Sequence, residues 1–256
     1  MANETIVEVR NLTTHYGEAL VLDGVSMEVR RGEIVVILGG SGCGKSTLLK
    51  HMIGLLRPTS GEILLWGQDI ARMDEDQLRP MLTRVGISFQ SGGLFNSMTV
   101  GENVALPIKE KNPDIDRETL DMLVRIKLGL VGLSAAVNKT PGELSGGMKK
   151  RAGVARALAL DPEILFLDEP SAGLDPIMAA GLDQLILNLR HLLGITVVVV
   201  THELDSIKEI ADTAVMLDKG RVIFNGRLDE ALESDHPRVS QFFQRKPDAH
   251  IAPRNA

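Results

Sequence analysis

Residues 39–47 read Gly-Gly-Ser-Gly-Cys-Gly-Lys-Ser-Thr, with Gly39, Gly44, Lys45 and Ser46 at the spacing G-x-x-x-x-G-K-[ST]. Glycine-rich chain can turn successive backbone N–H groups inward around an anion. Gly39, Gly40, Ser41, Gly42, Cys43 and Gly44 are therefore a candidate cradle for a phosphate chain. A helix opening at Lys45 adds the positive end of its dipole. The Lys45 ammonium can reach β- and γ-phosphates, the Ser46 hydroxyl can ligate Mg²⁺, and Thr47 follows in the same turn. Cys43 is the single cysteine of the chain and reads as a small filler, since a redox cycle would need a resolving thiol.

Ile164-Leu165-Phe166-Leu167-Asp168-Glu169 is an apolar run that ends in two carboxylates. Asp168, at a strand end, suits the acid that holds Mg²⁺ through water. Glu169 then projects where it can polarise a water attacking the γ-phosphate. A further apolar run, Ile195–Val200, leads through Thr201 to His202, and this placement alone separates His202 from the other five histidines, which show no ligand-like clustering. Leu144-Ser145-Gly146-Gly147-Met148 precedes KKRAGVARALAL and makes a second turn-then-helix suited to an anion. A chain with one phosphate loop has little use for both in one site. Two copies facing each other would use Ser145, Gly146 and Gly147 in trans.

These residues need strands and helices to hold them. Ile34–Leu38, Ile164–Leu167 and Ile195–Val200 are almost wholly apolar, as expected for parallel strands covered on both faces. Ile6, Val7 and Val9 open the chain as a strand, and Val25, Met27 and Val29 alternate with Ser26, Glu28 and Arg30, the period of a half-buried strand. Residues 61–66 form another, and Ala214–Leu217 with Arg221–Asn225 form a hairpin turning at Gly220. Helical spacing is seen in Leu48, Leu49, Met52, Ile53 and Leu56, and again from Met178 to Leu193. Asp116 is a candidate cap for a helix carrying Leu120, Leu123, Val124 and Val131. The stretch at about 91–150 reads as an inserted helical subdomain. Val239, Phe242 and Phe243 share one helical face, expected to dock on its own subunit or across a dimer, and the polar end of the tail is expected to be loosely ordered.

Composition bounds the possibilities. The chain has 256 residues, 44% apolar and 24% charged, with a net charge of −6. That is ordinary for a globular protein with a sizeable core. The acidic balance argues against a general nucleic-acid binder. Lys149, Lys150 and Arg151 are expected to form a solvated or partner-facing surface rather than a nucleic-acid patch. No apolar run approaches the roughly 18–20 residues of a membrane span. The N-terminus has no basic start followed by an apolar stretch, so no secretory signal is expected.

The phosphate loop, the LSGG turn and the Asp168–Glu169 strand end, in this order, resemble the ATP-binding cassette (ABC) ATPases over residues 5–235. The resemblance implies an α/β P-loop NTPase of the ABC type: a mixed sheet core, an antiparallel β subdomain and an inserted α-helical subdomain. Residues 1–236 would form the ATPase domain and 237–256 a C-terminal extension. It implies ATP sandwiched between the phosphate loop of one subunit and the LSGG turn of its partner. Tyr16 falls where the family stacks an aromatic on adenine. Gln90 matches the Q-loop glutamine, which contacts Mg²⁺ or water, and Asp175 closes the matching D-loop, Ser171–Asp175. His202 matches the switch histidine, which would hydrogen-bond the γ-phosphate. Two departures stand out: Gly40 replaces a frequent proline, and Met148 the usual glutamine.

A finer resemblance is carried by Phe89–Ile108, Glu143–Pro162, Asp168–Ile177 and Pro237–Phe243. It is to the Mla/Mkl-type ATPases of phospholipid transport systems that contain MCE-domain proteins. It implies a homodimer on an integral-membrane permease at the cytoplasmic face of the inner membrane, with MCE-domain and lipid-binding partners and no nucleic acid. An amino-acid importer is the alternative. A DNA- or ribosome-acting ABC protein would be expected to carry paired cassettes or long inserts, and a non-hydrolysing cassette to lack Glu169 or His202.

Overall fold

The computed structural model describes residues 4–247; the expected loose end of the tail lies outside the described residues. Ten strands are described: β1 (Thr5–Tyr16), β2 (Ala19–Arg30), β3 (Ile34–Gly39), β4 (Ser60–Leu65), β5 (Gln68–Asp69), β6 (Val85–Ser88), β7 (Ile164–Asp168), β8 (Thr196–Val200), β9 (Thr213–Asp218) and β10 (Arg221–Arg227). Nine α-helices accompany them: α1 (Lys45–Met52), α2 (Glu75–Leu82), α3 (Val100–Lys111), α4 (Arg117–Leu130), α5 (Gly146–Ala157), α6 (Pro176–Leu193), α7 (Leu204–Ile210), α8 (Leu228–Leu232) and α9 (Pro237–Phe243).

Two sheets result. The larger has the order β10-β9-β3-β8-β7-β6, parallel except for the β9–β10 hairpin; the smaller is antiparallel, β2-β1-β4-β5. The strands of the larger sheet feed two cores by parity. Val35, Ile37, Phe166, Val198, Val200 and Leu217 pack toward α1 and the smaller sheet. Val36, Leu38, Leu165, Leu167, Val197 and Val199 pack toward α5, α6 and the helical insert. Successive side chains leave opposite faces of a strand, so a strand buried on both faces must be apolar throughout, which the three continuous runs satisfy. One edge of the seam between the sheets is polar. Arg84 stacks over Trp66 at 3.7 Å and pairs with Glu163 at 2.6 Å, which also receives Arg31 at 2.8 Å.

Several boundaries differ from the sequence expectation. Helix α1 stops at Met52 rather than running to Leu56, because Gly54 in the left-handed region (φ 73°) turns the chain, leaving Leu55 exposed. Strand β6 escaped periodicity because Gly86 and Ser88 occupy its buried face. A Cβ at Gly86 would stand 2.5 Å from Ala157 O, so the helix above admits only glycine there. Asp116 caps α4 by accepting from Thr119 N, as its position suggests. In the insert, α5 continues past residue 150 and touches β6 and α6 as well as α3 and α4. The tail helix α9 docks on its own chain: Val239 and Phe243 are buried, Phe242 meets Phe243 edge to face, and Arg238 pairs with Asp218. No described helix is long and apolar enough to cross a membrane.

Candidate nucleotide site

Three neighbouring parallel strands end on one edge. Ile37 of β3, Val200 of β8 and Asp168 of β7 stand in one register row, so the residues that follow them emerge within about 10 Å of one another. Thr201 N donates to Ile37 O at 3.2 Å and Glu169 N to Val200 O at 2.8 Å, which extends the row past the strand ends.

From β3 the chain enters the phosphate loop. Gly39 has φ 146° and its missing Cβ would collide with Leu217 O at 2.2 Å. Gly44 has φ 107° and its missing Cβ would meet Leu22 Cδ2 at 2.6 Å. Both positions therefore require glycine. Gly44 is also the N-cap of α1 and brings no side chain to cap it, so the first-turn N–H groups face the loop unclaimed by a cap. Gly40, Ser41, Gly42 and Ser46 are exposed, while Lys45 is buried and Thr47 half-buried. Lys45 Nζ donates to Gly39 O at 2.9 Å and Gly40 O at 3.0 Å, which places its charge inside the cradle. Cys43 is buried, and burial pushes its thiol pKa up, so it is an unreactive filler as expected.

Asp168 sits near Ser46, whose hydroxyl favours its charged form. Burial, followed by the neighbouring Glu169 charge, raises the Asp168 pKa, partly offset by Lys50, Ser46 and Lys45. One oxygen of each carboxylate, Asp168 Oδ1 and Glu169 Oε2, is buried with no partner. Two crowded carboxylates with orphaned oxygens beside a hydroxyl fit a hard, oxygen-seeking cation such as Mg²⁺. Glu169 Oε1 lies 2.9 Å from His202 Nδ1. In the tautomer that carries its proton on Nδ1, the imidazole donates to this carboxylate oxygen. Glu169 itself adopts φ 47°, a left-handed conformation uncommon for a side-chain-bearing residue. The arrangement can hold a triphosphate, a cation and a water aimed at the terminal phosphate.

The remaining candidates surround this centre. Tyr16 closes β1 with its ring half exposed, on the same hairpin whose Leu22 covers Gly44. The Asp175 carboxylate caps α6 through Ile177 N and Met178 N, so it shapes the loop that follows Glu169. Ser145 is the exposed N-cap of α5, accepting from Met148 N at 3.3 Å. Gln90 follows β6 with its side chain exposed.

Two features escaped the sequence reading. Asn103 is fully buried and binds the 95–99 loop at four points: it accepts from Phe95 N at 2.8 Å and donates to Phe95 O, Met98 O and Thr99 O. The available signal was the Thr99-x-x-Glu102 capping box, which fixes the start of α3 just before it. The second is a correction. Lys150 and Arg151 are not a solvated surface: Lys150 binds Gln90 O and Glu169 O, and Arg151 binds Val131 O and Gly181 O. A charge run does not reveal which of its side chains meet carbonyls of other segments.

Comparison with known proteins agrees with this geometry. Residues 22–172 match the family model described as ABC transporter. The chain is 40% identical over 249 residues to the intermembrane phospholipid transport system ATP-binding protein MlaF of Haemophilus influenzae, covering 97% of this chain and 94% of that protein. It is 42% identical to the probable ribonucleotide transport ATP-binding protein mkl of Mycobacterium leprae, over 92% of this chain and 68% of that one. It is 41% identical to the methionine import ATP-binding protein MetN of Mesorhizobium japonicum, over 88% and 61%. A solved ATP-binding cassette, dimeric in a post-hydrolysis state with ADP and Pi, superposes with TM-score 0.80 at 32% identity, covering 87% of this chain and 98% of that one. With the family model spanning the phosphate loop through the Glu169 turn, the chain belongs to the ABC transporter family, as one of its ATP-binding, ATP-hydrolysing subunits.

Proposed function

We propose that this subunit works as a homodimer on a membrane permease, at the cytoplasmic face of the inner membrane, and drives phospholipid movement between membranes with MCE-domain and lipid-binding partners. The observation that carries hydrolysis is the Glu169–His202 pair at the strand ends beside the phosphate loop. Lys45 binds the β- and γ-phosphates, and Tyr16 stacks on adenine. Ser46, Asp168 and Gln90 would hold Mg²⁺, which supplies charge to neutralise phosphate oxygens. Glu169 takes up the proton of the attacking water, and His202 fixes its carboxylate and contacts the γ-phosphate. Ser145, Gly146 and Gly147 close over the partner's ATP, with the 171–175 loop shaped by Asp175 at the crossing.

The lipid assignment is supported by the near full-length similarity to MlaF. The similarity to MetN favours the second reading, a small-molecule importer. The docking surface for the permease is the 94–98 loop, where Phe95 is exposed and Asn103 holds the backbone beneath it. Phe95→Asp is expected to weaken co-purification with the permease while nucleotide binding is unchanged; an intact complex sinks this docking site. ATP-dependent transfer of phospholipid between vesicles by the purified complex supports the lipid reading. Transfer of a small solute with no lipid movement replaces it with the importer.

A further inference from the structure

Helix α5 begins at Ser145, and five residues later Lys150 points into the subunit's own site. Its ammonium donates to Gln90 O at 2.6 Å and to Glu169 O at 3.0 Å. It thus joins two backbone positions far apart in sequence, one at the start of the loop after β6 and one at the carboxylate turn after β7. The Glu169 turn needs such a hold. A non-glycine residue at φ 47° persists only where its surroundings fix it, and here Glu169 N is held by Val200 O, while its carbonyl takes both Lys150 and Ala172 N. The loop is pressed on the same helix. A Cβ at Gly153 would stand 2.8 Å from Gly92 O, and Arg156 binds Gly93 O.

The Lys150 ammonium is half-buried, with burial lowering its pKa and the Glu169 and Asp168 charges opposing that shift. It has no carboxylate within ion-pair reach among the described residues, so its hold is through the two carbonyls. A helix is stiff over one and a half turns, and Ser145 and Lys150 are about 7.5 Å apart along its axis. Any tilt of α5 that seats Ser145 therefore moves Lys150.

We propose that Lys150 is a positioning residue that fixes the Glu169 and Gln90 backbones, and that α5 thereby links the site Ser145 serves to the site Lys150 braces. This rests on the reading that Ser145 serves the partner's nucleotide. Under it, ATP captured by one subunit's LSGG turn is felt by that subunit's own Glu169.

The test compares Lys150→Met, which keeps length and loses the donors, with Lys150→Arg, which keeps charge and reach, in steady-state ATP hydrolysis by the full chain. Lys150→Met is expected to lower kcat about tenfold with KM within about twofold, and to bring the Hill coefficient for ATP toward one. Lys150→Arg is expected to restore most of both. Melting temperature within about 3 °C of the parent separates this from general loosening. A Lys150→Met protein with unchanged kcat overturns the positioning role. A parent coefficient of one, or one unchanged by Lys150→Met, overturns the link between sites. If Lys150→Met does not fold, Lys150→Gln decides, since it is too short for both carbonyls: reduced kcat supports the role and parental kcat overturns it. Ser145→Arg tests the underlying reading separately. Normal hydrolysis there removes the shared site, while the kcat of Lys150→Met still decides the brace on Glu169.

Discussion

Ile37, Asp168 and Val200 stand in one row of the large sheet, each on a strand that is buried on both faces and bonded to its neighbours along its length. The 90–99 segment flanks the same site, yet it has few backbone bonds to other elements and is tied to two helices chiefly by side chains: Lys150 and Arg156 from α5, and Glu102 and Asn103 from α3. The first region is fixed by many backbone bonds that no single substitution removes. The second is fixed by a few polar side chains, each removable, so it can be displaced at low cost. Under the proposed function, a site that holds a nucleotide rigidly and yet responds to a membrane permease gains from having one wall of each kind.

That contrast can be pressed hardest at Glu169. Glu169→Gln keeps the backbone row intact and is expected to retain ATP binding while losing turnover by about 10²–10⁴-fold, roughly 3–5 kcal/mol of barrier. Turnover within a few-fold of the parent would remove Glu169 from the chemistry. Next in size is a mixing experiment. A Lys45→Ala subunit paired with a Ser145→Arg subunit places both lesions in one composite site, and hydrolysis is expected to recover partly over either mutant homodimer. No recovery in proven heterodimers argues that each chain works alone.

On the side-chain-held wall, Asn103→Ala removes four side-chain bonds to the 95–99 loop and leaves the part-buried Phe95 N and Met98 O without a partner. The expected cost is about 2–4 kcal/mol, read as a lower melting temperature, together with weaker permease binding and nearly normal ATP affinity. If ATP affinity falls as far as permease binding, the two walls are not independent. The smallest effect is expected from truncation after Asp235. Burial of Val239 and Phe243 contributes about 3–5 kcal/mol, which the ordering of a seven-residue helix largely offsets. A melting temperature lowered by a few degrees with normal dimer assembly fits the docking on its own chain; lost assembly with unchanged melting would mean the tail acts across the dimer.

What could be read from sequence follows the same division. The strand-held residues Lys45, Asp168, Glu169 and His202 were legible because local spacing and the apolar runs before them are sequence properties. The unbroken apolarity of those runs also predicted strands covered on both faces, and the structure bears this out. Lys150 and Asn103 were not legible, because their partners are backbone carbonyls and an amide of other segments, and a backbone group leaves no residue type to recognise. Strand β6 was hidden for a related reason: Gly86 answers to the helix above it rather than to its own strand.

The seam at Trp66 has an optical consequence. The chain contains one tryptophan and one tyrosine, and they lie in different surroundings. Trp66 sits beneath the Arg84 guanidinium at the junction of the two sheets, whereas Tyr16 stands half exposed on the β1–β2 hairpin near the phosphate loop. Indole emission is therefore a native gauge of whether the small sheet stays seated on the large one, and under the proposed stacking of Tyr16 on adenine the phenol signal is a separate gauge of nucleotide arrival. The two halves of the fold can be followed at once in the unlabelled protein.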